Sequence, residues 1–254
     1  MIQLTGSEWW LVAASLGPMQ LWGVDDPWQG HDDEEVNQMK QEAIASLTEA
    51  GWAQSSGGGL KFHPWLTELV EVCRTAKAVL TVQSVRGRIR QQVYLNGKQA
   101  LLQYPLAPGV FELTLIPDRA SLMVLLADDL LLDSGKIGRM PEFSLPADAL
   151  LESAQLFRIS EDDKAAVRLT EAELPEDVRA RLQAALDDPV SNTSVTLIPY
   201  TNTGEAPAPQ GFGLLEGEED LWVLHHQGEQ VILQPVSPGM IRRAFVELIG
   251  KWLK

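Results

Sequence analysis

Apolar residues recur along the chain with two periods, and the periods alternate in blocks. Trp9, Val12, Ala13 and Leu16 fall at helical spacing, so residues 5–16 predict a short helix. Thr5 or Ser7 supplies its cap, Glu8 places an anion in its first turn, and Gly17-Pro18 ends it. Val36, Met39, Ile44 and Leu47 make a looser stripe on a second helix, 32–50. It is capped by Asp32 and Asp33 and closed at Gly51, where a left-handed residue is needed. Ser55–Gly59 reads as a turn. Pro64 then opens a third helix, 64–75, with Trp65, Leu66, Leu69, Val70 and Cys73 on its apolar face.

Period two takes over from there. Residues 78–83, 89–95, 99–104 and 110–116 predict four strands. Asn96-Gly97 joins the middle pair, since a type I′ turn needs positive φ at both positions. An apolar helix follows over 118–132, with Leu122, Leu125, Leu126 and Leu130 expected inside. Residues 133–144 read as a connector. The second half then repeats the order: helices at 145–157, 161–168 and 175–186, a strand at 194–200, and a long loop at 201–211. Strands at 212–216, 220–225 and 229–234 follow. A closing helix at 240–253 carries Ile241, Phe245, Leu248, Ile249 and Trp252 on one face.

One stretch occurs in two versions. Residues 96–109 and 227–239 align with a single gap at Tyr104, sharing a turn glycine, Gln, three apolar residues, Gln-Pro and a final Pro-Gly. The recurrence predicts an α+β fold of two related halves, each an antiparallel β-meander packed with helices. The halves are 1–134 and 135–254, within one compact body.

Composition narrows the function. Of the 254 residues, 45% are hydrophobic and 22% charged, which fits a soluble globular protein. No apolar run approaches the ~20 residues that span a bilayer, so membrane insertion is not expected. The first residues lack the basic-then-apolar order of a secretory signal, and the single Cys73 has no internal partner. Both point to the cytoplasm. The net charge of −15, from 35 acidic and 20 basic residues, repels phosphate backbones and argues against nucleic acid.

No arrangement of residues calls for catalysis, a cofactor or a metal. His31 with Asp32, Asp33 and Glu34 resembles a hard-metal cluster, yet all four come from one helix start, where the dipole attracts carboxylates. His225 and His226 alternate across a strand and cannot face one site. Cys73 sits on an apolar helix face, about three turns from His63, as a small buried hydrophobe. Nucleophile-elbow, P-loop, dinucleotide and zinc motifs are missing. Gly57-Gly58-Gly59 follows a helix and lacks the lysine of a phosphate loop. Asp128-Asp129, Asp162-Asp163 and Asp187-Asp188 are sequence neighbours and not carboxylates facing across a cleft. Residues 34–75 with the following hairpin could form a winged helix, with Arg86, Arg88 and Arg90 at the wing. Its recognition helix would present Glu68 and Glu71 with only Arg74, which does not suit DNA. Among eight tryptophans, Trp22 and Trp28 lie in a loop and Trp222 lies on a strand beside Glu218, Glu219 and Asp220. Tryptophan is favoured at protein interfaces, though most of the eight are expected in the core.

The opening Leu4-Thr-Gly-Ser-Glu-Trp-Trp-Leu, the helix end Leu47-Thr-Glu-Ala-Gly-Trp52, the following His63-Pro-Trp-Leu, the meander after Cys73-Arg74 and the helix at 118–132 form a series. This series resembles the EspG-type cytosolic chaperones of type VII (ESX) secretion. The resemblance covers most of the first half in pattern and the second in layout. It implies a non-catalytic protein that binds a helical-hairpin secretion substrate and covers its apolar tip. It further implies a partner surface made by a sheet hairpin and by helices of the second half. The corresponding positions here are the turn with Val85, Arg86 and Arg88, and the closing helix 240–253. Trp222 is a further candidate contact. The short second half departs from the family. The alternative is an acidic immunity or regulatory protein that neutralises a basic partner, and an enzyme of unrecognised type is a third reading.

Overall fold

A computed structural model describes residues 1–17, 19–56, 59–84, 89–200 and 208–254. The chain opens on a strand absent from the sequence pattern, β1 (Ile2–Thr5), which runs directly into helix α1 (Gly6–Leu16). Thr5 accepts the Glu8 N–H while the Glu8 carboxylate accepts the Thr5 N–H, so two orphan donors are satisfied at once. Asp32 and Glu35 form the same reciprocal cap on α2 (Asp33–Glu49). Gly51, at φ 76°, turns the chain out of α2. A small ribbon, β2 (Ala53–Ser56) and β3 (Gly59–Phe62), leads to α3 (Pro64–Arg74) with its proline in the first turn.

Strands β4 (Ala78–Ser84), β5 (Ile89–Leu95), β6 (Ala100–Ala107) and β7 (Val110–Ile116) follow as a meander. Helix α4 spans only Arg119–Leu125. The expected helix 118–132 breaks because Leu131 takes a left-handed backbone (φ 55°) and the Leu132 N–H folds back to the Ala127 carbonyl. That turn buries Leu130, Leu131 and Leu132 together, while Leu125, expected inside, is exposed. The connector ends in another unexpected strand, β8 (Phe143–Pro146). Helices α5 (Ala147–Arg158), α6 (Asp162–Thr170) and α7 (Glu176–Asp187) come next. Strands β9 (Ser191–Pro199), β10 (Gln210–Glu216), β11 (Leu221–Gln227) and β12 (Gln230–Pro235) then lead to α8 (Pro238–Ile249).

The fold is α+β. Ten strands form one antiparallel sheet in the order β1-β7-β6-β5-β4-β9-β10-β11-β12-β8. The order reads the same from either edge, and β4 pairs with β9 from Ala78–Pro199 to Ser84–Thr193. Equivalent hydrogen bonds recur in the halves. Lys77 N–H to Leu95 O (2.8 Å) matches Val190 N–H to Glu216 O (2.9 Å), and Gly6 N–H to Gly109 O (2.8 Å) matches Ala147 N–H to Glu229 O (2.9 Å). The registers place a local two-fold axis through the Val82–Val195 pair, so Gln92, Tyr94, Leu101 and Gln103 correspond to Gly213, Leu215, Trp222 and Leu224.

This symmetry corrects the alignment of 96–109 with 227–239. Gly97 turns β5 into β6, whose counterpart is the turn from β10 to β11. Gly228 turns β11 into β12, whose counterpart is the Gly109 turn. The two stretches match because both are hairpins, one strand out of step.

Strand alternation sends successive side chains to opposite faces. Val79, Tyr94, Leu101 and Leu113 pack under α1, α2 and α3 with Trp9, Val12, Leu47 and Leu69. Leu215, Trp222, Val231 and Leu233 pack on the same sheet face under α5, α6 and α7 with Leu150, Phe157 and Leu182. The reverse face carries Leu80, Val93, Val195 and Leu214 beneath Leu122 of α4 and Ile241, Phe245 and Ile249 of α8. Among the described residues, no helix is long and apolar enough to cross a membrane.

Candidate partner interface

The proposed contact residues separate in space. Val85, Arg86 and Arg88 lie outside the described residues, as does most of the loop 201–211. Strands β4 and β5 end at Ser84 and begin at Ile89, at the end of the central strands where Ser84 pairs with Thr193. Strand β9 ends at the opposite end of the central strands, where Pro199 pairs with Ala78, about 20 Å away by strand rise. Helix α8 of the 240–253 segment lies on the reverse face with its apolar side spent on the core, so it does not share a sheet face with α5–α7.

Trp222 is not a surface residue. It is 1% exposed and packs beneath α5–α7, because even-numbered positions of β11 face the helices there. The tryptophan-bearing loop is also structural. The Trp22 N–H donates to Tyr94 Oη (2.7 Å), its carbonyl accepts from Gln103 Nε2 (2.8 Å), and its indole donates to Tyr200 Oη. Trp28 stacks at 6.2 Å from Trp10, with Lys40 Nζ 4.6 Å above its ring. Burial raises the Tyr200 hydroxyl to about 12, so it stays a protonated partner for the indole at neutral pH.

The candidate reactive groups are quiet. Cys73 is buried and its thiol is pushed well up, which removes the thiolate that nucleophilic chemistry needs. His31 Nδ1 lies 3.1 Å from Glu35 in an exposed pair. Among the described residues, no three His, Cys, Asp or Glu side chains are grouped to hold a metal.

What the fold does assemble lies near the end of β9 where Thr193 pairs with Ser84. The ends of α5 and α7 meet the start of β9 around a cavity of about 160 Å³, lined by Ala154, Arg158, Ala185, Asp187, Asn192 and Leu215. Leu156 and Ile159 line a shallower hollow next to it with Glu152 and Gln155. Leu151, Ile159 and Val167, on α5, at its C-terminal end and on α6, are 55%, 66% and 62% exposed. Arg168 of α6 bridges the pair, reaching Asp148 (2.8 Å) and Glu152 (2.7 Å) of α5 and Glu171 (2.6 Å). Residues 147–188 carry eleven acidic and five basic side chains, so the segment is net negative, while the charged residues lining the cavity are Arg158 and Asp187. Helical periodicity assigns apolar residues to the core and could not reveal the exposed ones. The glycines at 211 and 213, inside a strand, were the available signal for a close approach to the sheet.

The architecture has a known counterpart. The chain superposes on the Mycobacterium tuberculosis type VII secretion system chaperone EspG5, solved in complex with a PE25-PPE41 dimer, with a TM-score of 0.67. The likeness covers 100% of this chain and 96% of that chain at 14% sequence identity, which shows a shared fold. No family model matches the sequence, and no curated protein matches it.

Proposed function

We propose that this protein is a non-catalytic cytoplasmic chaperone that holds a small helical secretion substrate. The observation that carries the reading is the end-to-end likeness to EspG5, a chaperone solved with its protein partner bound. The surface of α5 and α6 supports such a role. It offers exposed Leu151, Ile159 and Val167, and α5 with α7 forms a cavity at the sheet that could take an inserted side chain. The turn with Val85, Arg86 and Arg88 forms the neighbouring part of the contact. The net charge of −15 keeps the free chaperone soluble and steers its partner.

The test is co-expression with helical secretion substrates of the native host, followed by size-exclusion chromatography and thermal melting. A stoichiometric complex and a raised melting temperature are expected. Replacing Arg86 and Arg88 together by glutamate should leave melting of the free protein unchanged and weaken the complex at least ten-fold. Unchanged affinity removes the turn from the contact. If no helical protein co-purifies and none stabilises the chain, the chaperone reading falls. Recovery of a basic, non-helical partner would favour the alternative of an acidic immunity or regulatory protein.

A further inference from the structure

Charge is unevenly placed in this protein. Residues 238–254 carry four basic side chains and one acidic, a net of +3. That leaves 16 basic and 34 acidic, a net of −18, for the rest of the chain. Helix α8, in this basic segment, repeats the inward positions of the matching first-half stretch. Ile241, Phe245 and Ile249 enter the reverse-face core at the spacing of Leu122, Leu126 and Leu130. The neighbouring positions differ. Arg242 and Arg243 are exposed where the same spacing puts buried Met123 and exposed Val124. Packing therefore accounts for the inward side of α8 and gives its two arginines no role in the core. Among the described residues, Arg119, Arg242, Arg243 and Lys251 form no ion pair, whereas Arg74, Lys136, Lys164, Arg168 and Arg181 do.

The unpaired cations share one surface with apolar side chains. Arg119, the first residue of α4, rests on the end of α8, where a Cβ on Gly250 would sit 3.3 Å from its guanidinium. Arg242 and Arg243 lie in the first half of α8, a helix of 12 residues and about 18 Å, and Lys251 is exposed just past its end. Helix α4 packs beside α8 and adds Val124 and Leu125, 76% and 49% exposed, while Met240 of α8 is 43% exposed. Surface charges more than about 8 Å away are largely screened at physiological salt, so the local +3 outweighs the distant −18 for whatever settles here. The width of the surface selects among anions. Asp128 and Asp133, soon after α4, are exposed as well. A bilayer or a nucleic-acid duplex is broad enough to meet those carboxylates along with the arginines, and it approaches against the field of a −15 protein. A helical protein segment, about 10–12 Å across, can run along α8 alone and also use the apolar neighbours.

We propose that the outward side of α8, with Arg119 and the exposed apolar residues of α4, is a docking site for an acidic amphipathic segment of a second protein. The segment sets its carboxylates on Arg242, Arg243 and Lys251 and its apolar residues on Val124, Leu125 and Met240. The site is on the opposite sheet face from α5–α7 and does not depend on the chaperone reading.

The probe is a labelled synthetic peptide, Glu-Glu-Leu-Ala repeated three times, with a control that has glutamine in place of every glutamate. Fluorescence anisotropy with the full chain should show binding of the acidic peptide and none of the control. Affinity should fall as NaCl rises from 0.1 M to 1 M, since the screening length shortens from about 10 Å to about 3 Å. Arg242→Glu together with Arg243→Glu should weaken binding about ten-fold or more and leave melting unchanged, because both side chains are exposed and unpaired. Arg243→Gln with Lys251→Gln carries the same test if the first pair does not fold. Affinity indifferent to salt and to both pairs, or equal binding of the control, overturns the proposal. Co-sedimentation with phosphatidylserine vesicles in place of peptide binding assigns the surface to lipid and overturns it too. So does a dimer of the parent, seen by sedimentation velocity, that the double substitution dissociates. Peptide binding as expected when no helical substrate is found supports this site and refutes the chaperone reading alone. A bound helical substrate with no response to the acidic peptide does the reverse.

Discussion

Replacing Trp222 with alanine removes the second-largest fully buried side chain in the molecule, 1% exposed between β11 and the α5–α7 layer. Truncations of this kind in a packed core cost about 3–5 kcal/mol, from lost burial and the cavity left behind. In a chain of this size each kcal/mol moves the melting temperature by roughly 2–4 °C, so a fall of about 6–20 °C is expected. Trp222→Phe should be far milder. The indole Nε1 is buried without a partner among the described residues, and such a donor costs about 1–3 kcal/mol. Phenylalanine relieves that cost while giving up part of the ring, which leaves a net change of about 0–2 kcal/mol. Circular-dichroism melts with matched urea titrations at neutral pH read both values, and an unchanged m-value licenses the comparison. An alanine variant that melts with its parent but loses partner affinity would refute the burial argument and restore Trp222 to the surface.

Two further substitutions probe other parts of the fold. Burial holds the Asp129 carboxyl above its ordinary range; the amide of Gln91 opposes this, and neighbouring Asp128 adds to it. The folded protein therefore keeps that proton longer than the unfolded chain does, and stability falls as pH rises from the ordinary carboxylate range through the raised value. Asp129→Asn should accordingly melt higher than the parent at pH 7, with the difference vanishing at about pH 3, where both states are protonated. Gly211→Ala should destabilise by about 1–3 kcal/mol, because its Cβ would lie 2.1 Å from the Val195 carbonyl oxygen. Gly213→Ala should cost under about 1 kcal/mol, since its nearest neighbour is the movable Leu224 side chain at 3.3 Å. Chemical denaturation of the pair tests whether only the first glycine is required by the backbone.

Signals carried by a few consecutive residues were read well. A cap at Thr5, one of the two residues offered for it, proline at the start of α3 and the left-handed Gly51 occur where the residues place them; the β5–β6 hairpin forms too, but through the four residues 96–99 with only Gly97 at positive φ, not as a type I′ turn. Strands β1 and β8 escaped notice. Each has four residues, too few for a periodic pattern, and each exists only because β7 or β12 offers an open edge over a hundred or over eighty residues away in sequence. For the candidate site the resemblance pointed to the 85–88 turn, which lies outside the described residues, and to second-half helices. It also pointed to 240–253, which the sheet carries on its other face.

By itself, then, the sequence determined the element types, most of their ends and the α+β class, because capping, turn chemistry and apolar period act over a few residues. Only the tertiary structure decided how the halves correspond. The 96–109 stretch looked like the twin of 227–239, yet the shared sheet sets each against a different hairpin, since strand pairing obeys register across the whole sheet and not local likeness. The same long-range pairing buried Trp222, tied down Trp22, and left Gly213 and Leu224 open where their counterparts are covered.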